Sequence, residues 1–132
     1  MISVKQISVS LPNRPGTLYN VCDVLAKSGV NILSLYAEQT NYNDKSGVVR
    51  MAVHDENAAT RALKLGGFKY DVKDLHVVEL PDKPGELAKA THKLAHKGVN
   101  IDNLFILGSG KGTTRIALTT NDIEKTRQAL SM

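Results

Sequence analysis

The stretch LPNRPGTL, residues 11–18, returns as LPDKPGEL at residues 80–87, 69 positions further along the chain. At the same offset SGVNILSLY (28–36) returns as KGVNIDNLF (97–105). Two separated stretches that keep one spacing mark a duplicated unit, so the fold follows from reading one unit well.

Ahead of the first copy, Ile7, Val9 and Leu11 alternate with Ser8 and Ser10, the period of a half-buried strand that ends at a proline. Behind it, Leu18, Val21, Cys22, Leu25 and Ala26 recur at helical spacing. This predicts a helix over 17–28, with Pro15 in its first turn and Gly29 at a left-handed stop. A strand is expected from about 31 to 39, then a polar hairpin loop with Asn41, Asn43, Asp44 and Gly47. In the strand that follows, Val49, Met51 and Val53 alternate with Arg50 and Ala52. Asp55 suits the cap of a second helix carrying Ala58, Ala59, Ala62 and Leu63 and stopped at Gly66 and Gly67; Phe68, Tyr70 and Val72 then alternate as a fourth strand. One unit reads βαββαβ.

The second copy retraces this order. Val78 and Leu80 end its first strand, Leu87, Ala90, Thr91, Leu94 and Ala95 stripe its helix, and GSGKG (108–112) makes a tight hairpin turn before Thr114, Ile116 and Leu118. Asn121, with Glu124 three residues on, has the form of a capping box for a last helix edged by Ile123, Arg127 and Leu130. No counterpart of the strand at 68–72 follows, so one sheet edge of the second unit is expected to be open or filled by another chain, which favours a homodimer. The fold class is α+β: two tandem ferredoxin-like units, 1–73 and 74–132, each an antiparallel sheet with helices on one face, the second lacking its last strand. The other face is expected to be polar, with Ser8, Ser10, Arg50 and Arg115 on it. The second strands break that rule. Ile32, Leu33, Leu35, Tyr36 and Ala37, like Ile101, Leu104, Phe105, Ile106 and Leu107, are apolar both ways, and cover from the other copy is expected there.

Composition narrows the function classes. With 132 residues, 42% hydrophobic and 23% charged, the chain reads as an ordinary globular protein. The single cysteine, Cys22, excludes an internal disulfide framework, and no apolar run suits a signal peptide or membrane span, so the expected location is cytoplasmic. The net charge of +4 comes from lysines and arginines scattered singly rather than gathered into a nucleic-acid footprint.

The repeated loop is the place where chemistry can occur. Asn13 lies ahead of a helix whose first N–H groups after the proline belong to Gly16, Thr17 and Leu18, and these donors with the helix dipole favour a carboxylate. Gly16 lets a ligand approach the main chain, and the side-chain amides of Asn13 and Asn31 can accept from an ammonium. Such a set suits the zwitterionic end of an amino acid, and Asp82, Gly85, Glu86, Leu87 and Asn100 take the same places in the second copy. Turn and cap preferences alone account for the same residue types one at a time, though a strand start after a glycine stop has no need of Asn31 or Asn100.

The paired stretches NRPGTLYNVCDVLAKSGVNI (13–32) and DKPGELAKATHKLAHKGVNI (82–101), set in βαββαβ units, resemble ACT domains, the regulatory modules of many enzymes of amino-acid metabolism. The first copy is most similar to the regulatory end of phosphoglycerate dehydrogenase. That resemblance implies serine-site positions at Asn13 and Asn31, with Arg14 and Ile32 beside them, and Asp82 in place of the first asparagine in the second copy, next to Asn100 and Ile101. It also implies a ligand held at the interface of paired units.

No catalytic constellation is expected. Cys22 lies on the apolar helix stripe, and His92 and His96 have metal-holding spacing but no third ligand among Lys89, Lys93 and Lys97. GSGKGTT lacks the upstream glycine of a phosphate loop, since Ile106 stands there, and His54 and His76 have no nucleophile partner. An RNA-binding sheet needs central aromatics, and those positions hold Val9, Met51, Val78 and Ile116. The expectation is therefore a regulatory protein with no cofactor and no metal, sensing a small amino acid or related effector. It would act as a stand-alone sensor, or alternatively as the trans-acting regulatory subunit of an enzyme of amino-acid biosynthesis, its partner being such an enzyme or a transcription factor.

Overall fold

The computed structural model describes residues 2–41, 43 and 45–130; Asp44 of the expected hairpin loop lies outside them. The described residues form β1 (Ile2–Pro12), α1 (Thr17–Lys27), β2 (Ile32–Asn41), β3 (Ser46–Val53), α2 (Glu56–Leu65), β4 (Lys69–Pro81), α3 (Glu86–His96), β5 (Ile101–Gly110), β6 (Thr113–Thr120) and α4 (Ile123–Leu130). The chain divides into two compact units, residues 5–73 and residues 74–132 together with 1–4.

In the N-terminal unit the strand order is β2-β3-β1-β4. The β1–β3 register sets Ile7 opposite Met51 and Val9 opposite Val49, so the odd-numbered apolar residues of both strands share one face. Val21 and Leu25 of α1 and Ala59, Ala62 and Leu63 of α2 close over that face as one buried cluster. Each Val, Leu or Ile so buried contributes about 1.5–3 kcal/mol by leaving water. Asp55 caps α2 as its residue type requires, accepting from the Ala58 N–H at 3.0 Å.

In the C-terminal unit β4, β6 and β5 lie in that order, and Val78, Leu80, Ile116 and Leu118 meet Ala90 and Leu94 of α3 and Ala129 and Leu130 of α4. The β5–β6 turn has Lys111 and Gly112 at φ 55° and 79°, the two left-handed residues of a mirror-image hairpin turn. The cap of α4 is Asp122, which accepts from the Lys125 N–H at 3.0 Å, and not Asn121, whose side-chain oxygen accepts from the Asn100 N–H at 2.9 Å.

Several expectations are corrected. The fourth strand of the first repeat and the first strand of the second are one 13-residue strand, β4, because no glycine or proline interrupts the stretch from Lys69 to Leu80. The edge expected to be open is occupied: Ile2–Val4, at the start of β1, belong to the C-terminal unit, and β1 neighbours β4. The place of the missing strand is thus filled from within the chain, which removes the open edge as a reason for a homodimer. On the apolar second strands Leu33 is 63%, Tyr36 49% and Ile106 60% exposed, whereas Ile32, Ile101 and Leu104 pack on the core of their own unit. Nor is the face away from the helices polar throughout, since the apolar Ala52 in one unit and Ala117 in the other are buried there.

Candidate functional site

At the end of β1 the chain turns through Asn13, whose N–H donates to the Lys45 carbonyl and ties the loop to the β2–β3 hairpin. The N–H and the hydroxyl of Thr17 both donate to the Arg14 carbonyl, at 3.3 and 3.1 Å. Gly16 then caps α1 at φ 93°, a conformation that costs other residues strain, and a Cβ built there meets nothing within 4 Å. Pro15 therefore precedes the cap instead of opening the helix. Beside this loop is a cavity of about 240 Å³, entirely within the N-terminal unit. Asn13, Arg14, Gly16, Thr17 and Leu18 line one side of it, Ala37, Glu38 and Gln39 of β2 and Gly47, Val48 and Val49 of β3 the other.

Three features of this cavity bear on its chemistry. The first turn of α1 contains no acidic residue, so the helix supplies no anion of its own to the positive end of its dipole. Of the three main-chain donors expected there, Thr17 is engaged, while Gly16 and Leu18 have no acceptor among the described residues. The side-chain amides of Asn13 and Gln39 offer oxygens, and Leu11, Leu18, Ala37 and Val49 offer apolar wall. The volume lies below the roughly 300 Å³ at which drug-sized pockets begin, and so fits a small polar metabolite.

Asn31 and Ile32 are not part of this cavity. Ile32 pairs with Val53 at one end of the β2–β3 ladder, while Gln39 pairs with Gly47 at the other. At about 3.3 Å per residue the two ends are roughly 23 Å apart, so no single amino acid in this unit touches both Asn13 and Asn31. The backbone of Asn31 is instead engaged with His54, and Ile32 packs on the core.

The second copy repeats the frame with different chemistry. The Asp82 N–H donates to the Gly112 carbonyl at 2.9 Å, and Gly85 caps α3 at φ 88°. Leu87 is exposed like Leu18. Glu86, however, sits in the first helical turn with its carboxylate 3.7 Å from the Lys83 ammonium and 3.4 Å from that of Lys89. Asn100 and Ile101 again lie at the far end of the strand, where Asn100 bonds Asp102 through its side chain at 2.9 Å and Ile101 packs on the core.

A family model described as an ACT domain pair matches residues 2–131. The chain belongs to the ACT domain pair family. A ligand-binding regulatory role is what membership carries. Among solved structures, this ACT pair is 29% identical to protein BT0572 from Bacteroides thetaiotaomicron, over 97% of this chain and 86% of that one, with a TM-score of 0.86. It shares its fold with the regulatory subunit of aspartate kinase from Thermus flavus, at 18% identity over 98% and 92% of the two chains and a TM-score of 0.68. The ligand-free regulatory subunit of aspartate kinase from Thermus thermophilus matches at 17% identity, 97% and 87% coverage and a TM-score of 0.67. No curated protein matches the chain.

Elsewhere in the ACT pair, Cys22 is half-buried, and the rings of His92 and His96 stand 6.5 Å apart on an exposed stretch of α3. No group of three or more His, Cys, Asp or Glu among the described residues is placed to hold a metal, and no described helix is long and apolar enough to cross a membrane. On the sheet face away from α1, the Tyr36 hydroxyl donates to Glu38 at 3.0 Å and Arg50 lies 3.4 Å from the same carboxylate. The hydrogen bond to Glu38, and its negative charge, push the Tyr36 hydroxyl above the usual tyrosine pKa, with Arg50 opposing. Sequence reasoning did not place Ala37, Gln39 and Gly47 in the site. The signal was available in the hairpin, because an antiparallel return after Asn41 sets Gln39 opposite Gly47 and brings both back beside the end of β1.

Proposed function

We propose that this ACT pair is an amino-acid sensor whose N-terminal unit holds a small amino acid in the cavity beside Asn13–Leu18. The observation that carries the reading is the cavity itself: it joins a helix start with no anion of its own to side-chain amide oxygens and a short apolar wall. The ligand's carboxylate goes to the Gly16 and Leu18 N–H groups, its ammonium to the side-chain oxygens of Asn13 and Gln39, and its side chain against Leu18, Ala37 and Val49. The resemblance of the first loop to a serine site supports the role given to Asn13.

The output is regulation in trans. Two structural neighbours are regulatory subunits of aspartate kinase, and by analogy the partner is an enzyme of amino-acid metabolism. Ligand binding shifts such a partner only through unequal affinity for two arrangements of the pair. The homodimer is built on β2, the edge strand of the N-terminal unit, with its exposed Leu33 and Tyr36. Light scattering on the wild type and on Leu33→Lys reads this directly.

Thermal unfolding against each of the twenty amino acids tests the sensor. A ligand at a hundred times its dissociation constant stabilises the native state by about 2.7 kcal/mol. The midpoint should rise with one or a few amino acids and that rise should vanish in Asn13→Ala. A rise that survives Asn13→Ala places the ligand elsewhere, and no rise with any amino acid removes the reading.

A further inference from the structure

The two loops share a frame and differ in charge. Gly16 and Gly85 have φ of 93° and 88°, and the Asn20 and Lys89 N–H groups donate to the Gly16 and Gly85 carbonyls, each at 3.0 Å. Within that common frame, Asn-Arg-Pro-Gly-Thr-Leu holds one cation and no anion, whereas Asp-Lys-Pro-Gly-Glu-Leu holds one cation and two anions. The divergence centres on one position. Thr17 is neutral, with its hydroxyl turned to the Arg14 carbonyl, whereas Glu86 places a carboxylate in the first turn of α3.

That carboxylate is not a loose surface charge. The Glu86 side chain is only 13% exposed, and Lys83 and Lys89, both well exposed, reach back to it at 3.7 and 3.4 Å. The dipole at the start of α3 and two ammonium groups therefore already have their anion. A ligand carboxylate arriving there meets Glu86 and Asp82, and to take the position it must push a largely buried, doubly paired side chain into water.

We infer that the duplicated loops have diverged into one receptive and one self-filled position: Glu86 supplies to α3 the carboxylate that a ligand supplies to α1. The inference rests on the sensor reading for its ligand class, and it makes Glu86 the residue that sets the stoichiometry at one carboxylate per chain. Asp82 reinforces it, since the residue at the Asn13 position is an anion there.

Acetate, a carboxylate without ammonium or side chain, is the probe. Amide chemical shifts of the full chain are followed in an acetate titration of the wild type and of Asp82→Asn/Glu86→Thr, whose dispersed spectrum also shows that it folds. In the wild type, saturable shifts are expected at Gly16–Leu18 and none at Gly85–Leu87. In the variant both loops should respond, with the affinity at Gly85–Leu87 raised at least tenfold. Wild-type shifts at Gly85–Leu87 matching those at Gly16–Leu18 would overturn the inference, as would a variant silent at Gly85–Leu87. Should the amino-acid panel fail and Gly16–Leu18 stay silent, the sensor reading is lost; a response gained at Gly85–Leu87 in the variant would still support Glu86 as the resident anion.

Discussion

The main chain of Asn31 exchanges two hydrogen bonds with His54: the Asn31 N–H donates to the imidazole Nδ1 at 2.9 Å, and the His54 N–H donates to the Asn31 carbonyl at 3.1 Å. Asn100 and Asn121 repeat the exchange at 2.9 and 3.2 Å, with an amide oxygen in place of the imidazole. The same closure of the second and third strands is thus made by two side chains whose shared property is an acceptor at the right reach.

It follows that His54→Asn should be nearly neutral and His54→Ala should cost about 0.5–1.5 kcal/mol, the net worth of one hydrogen bond. Urea unfolding of the two variants checks this. Equal losses in both would show that the imidazole acts through something other than its acceptor.

Gly16→Ala tests the cap apart from the ligand. The added methyl meets open space, so the cost is conformational, about 1–2 kcal/mol for a residue forced into the left-handed region. Gly85→Ala should cost about the same. A denaturation midpoint unchanged in either variant would contradict the φ values found here.

Gly47 forms part of the cavity wall under Asn13. A Cβ there would lie 3.2 Å from the Glu38 carbonyl oxygen and 3.8 Å from the Asn13 Cβ. Gly47→Ala is expected to weaken ligand binding at least tenfold with a smaller effect on stability, measured by calorimetric titration with the amino acid the thermal panel selects. Undiminished affinity would move the ligand away from the β2–β3 side.

His76, half-buried on β4, has its pKa lowered, first by burial and also by Arg127, against the opposing charge of Asp74. The unfolded chain then binds the proton more readily than the native one, so stability rises with pH across this window. The contribution is whole above the unfolded value of about 6.5 and is lost as pH falls through the lower native value. His76→Gln should therefore flatten the loss of stability between neutral and mildly acid pH, followed by chemical denaturation at a series of pH values. An unchanged slope would mean that another group carries the acid sensitivity.

Much of this was legible in the sequence because it is written twice. Repetition at one spacing exposed the βαββαβ unit, and residue alternation assigned Ile7, Val9, Val49 and Met51 to one core face. What escaped was whatever depends on pairing partners distant in sequence. Ile2–Val4 alternate weakly and carry no repeat, yet they stand where the second repeat has no strand of its own. Asn121 resembled a helix cap, but its oxygen is committed to Asn100, leaving the cap to Asp122. At the loop, Asn13, Arg14, Gly16, Thr17 and Leu18 do share a cavity, whereas Asn31, joined to them by residue type and by the family resemblance, precedes the far end of β2 and lines no part of that cavity.

The most direct measurement is a crystal structure of the pair with the amino acid that raises its unfolding midpoint. The expected result is a ligand carboxylate within hydrogen-bonding distance of the Gly16 or Leu18 N–H and an ammonium on Asn13. A ligand bound with no contact to residues 13–18 would contradict the assignment of this loop as the sensing site.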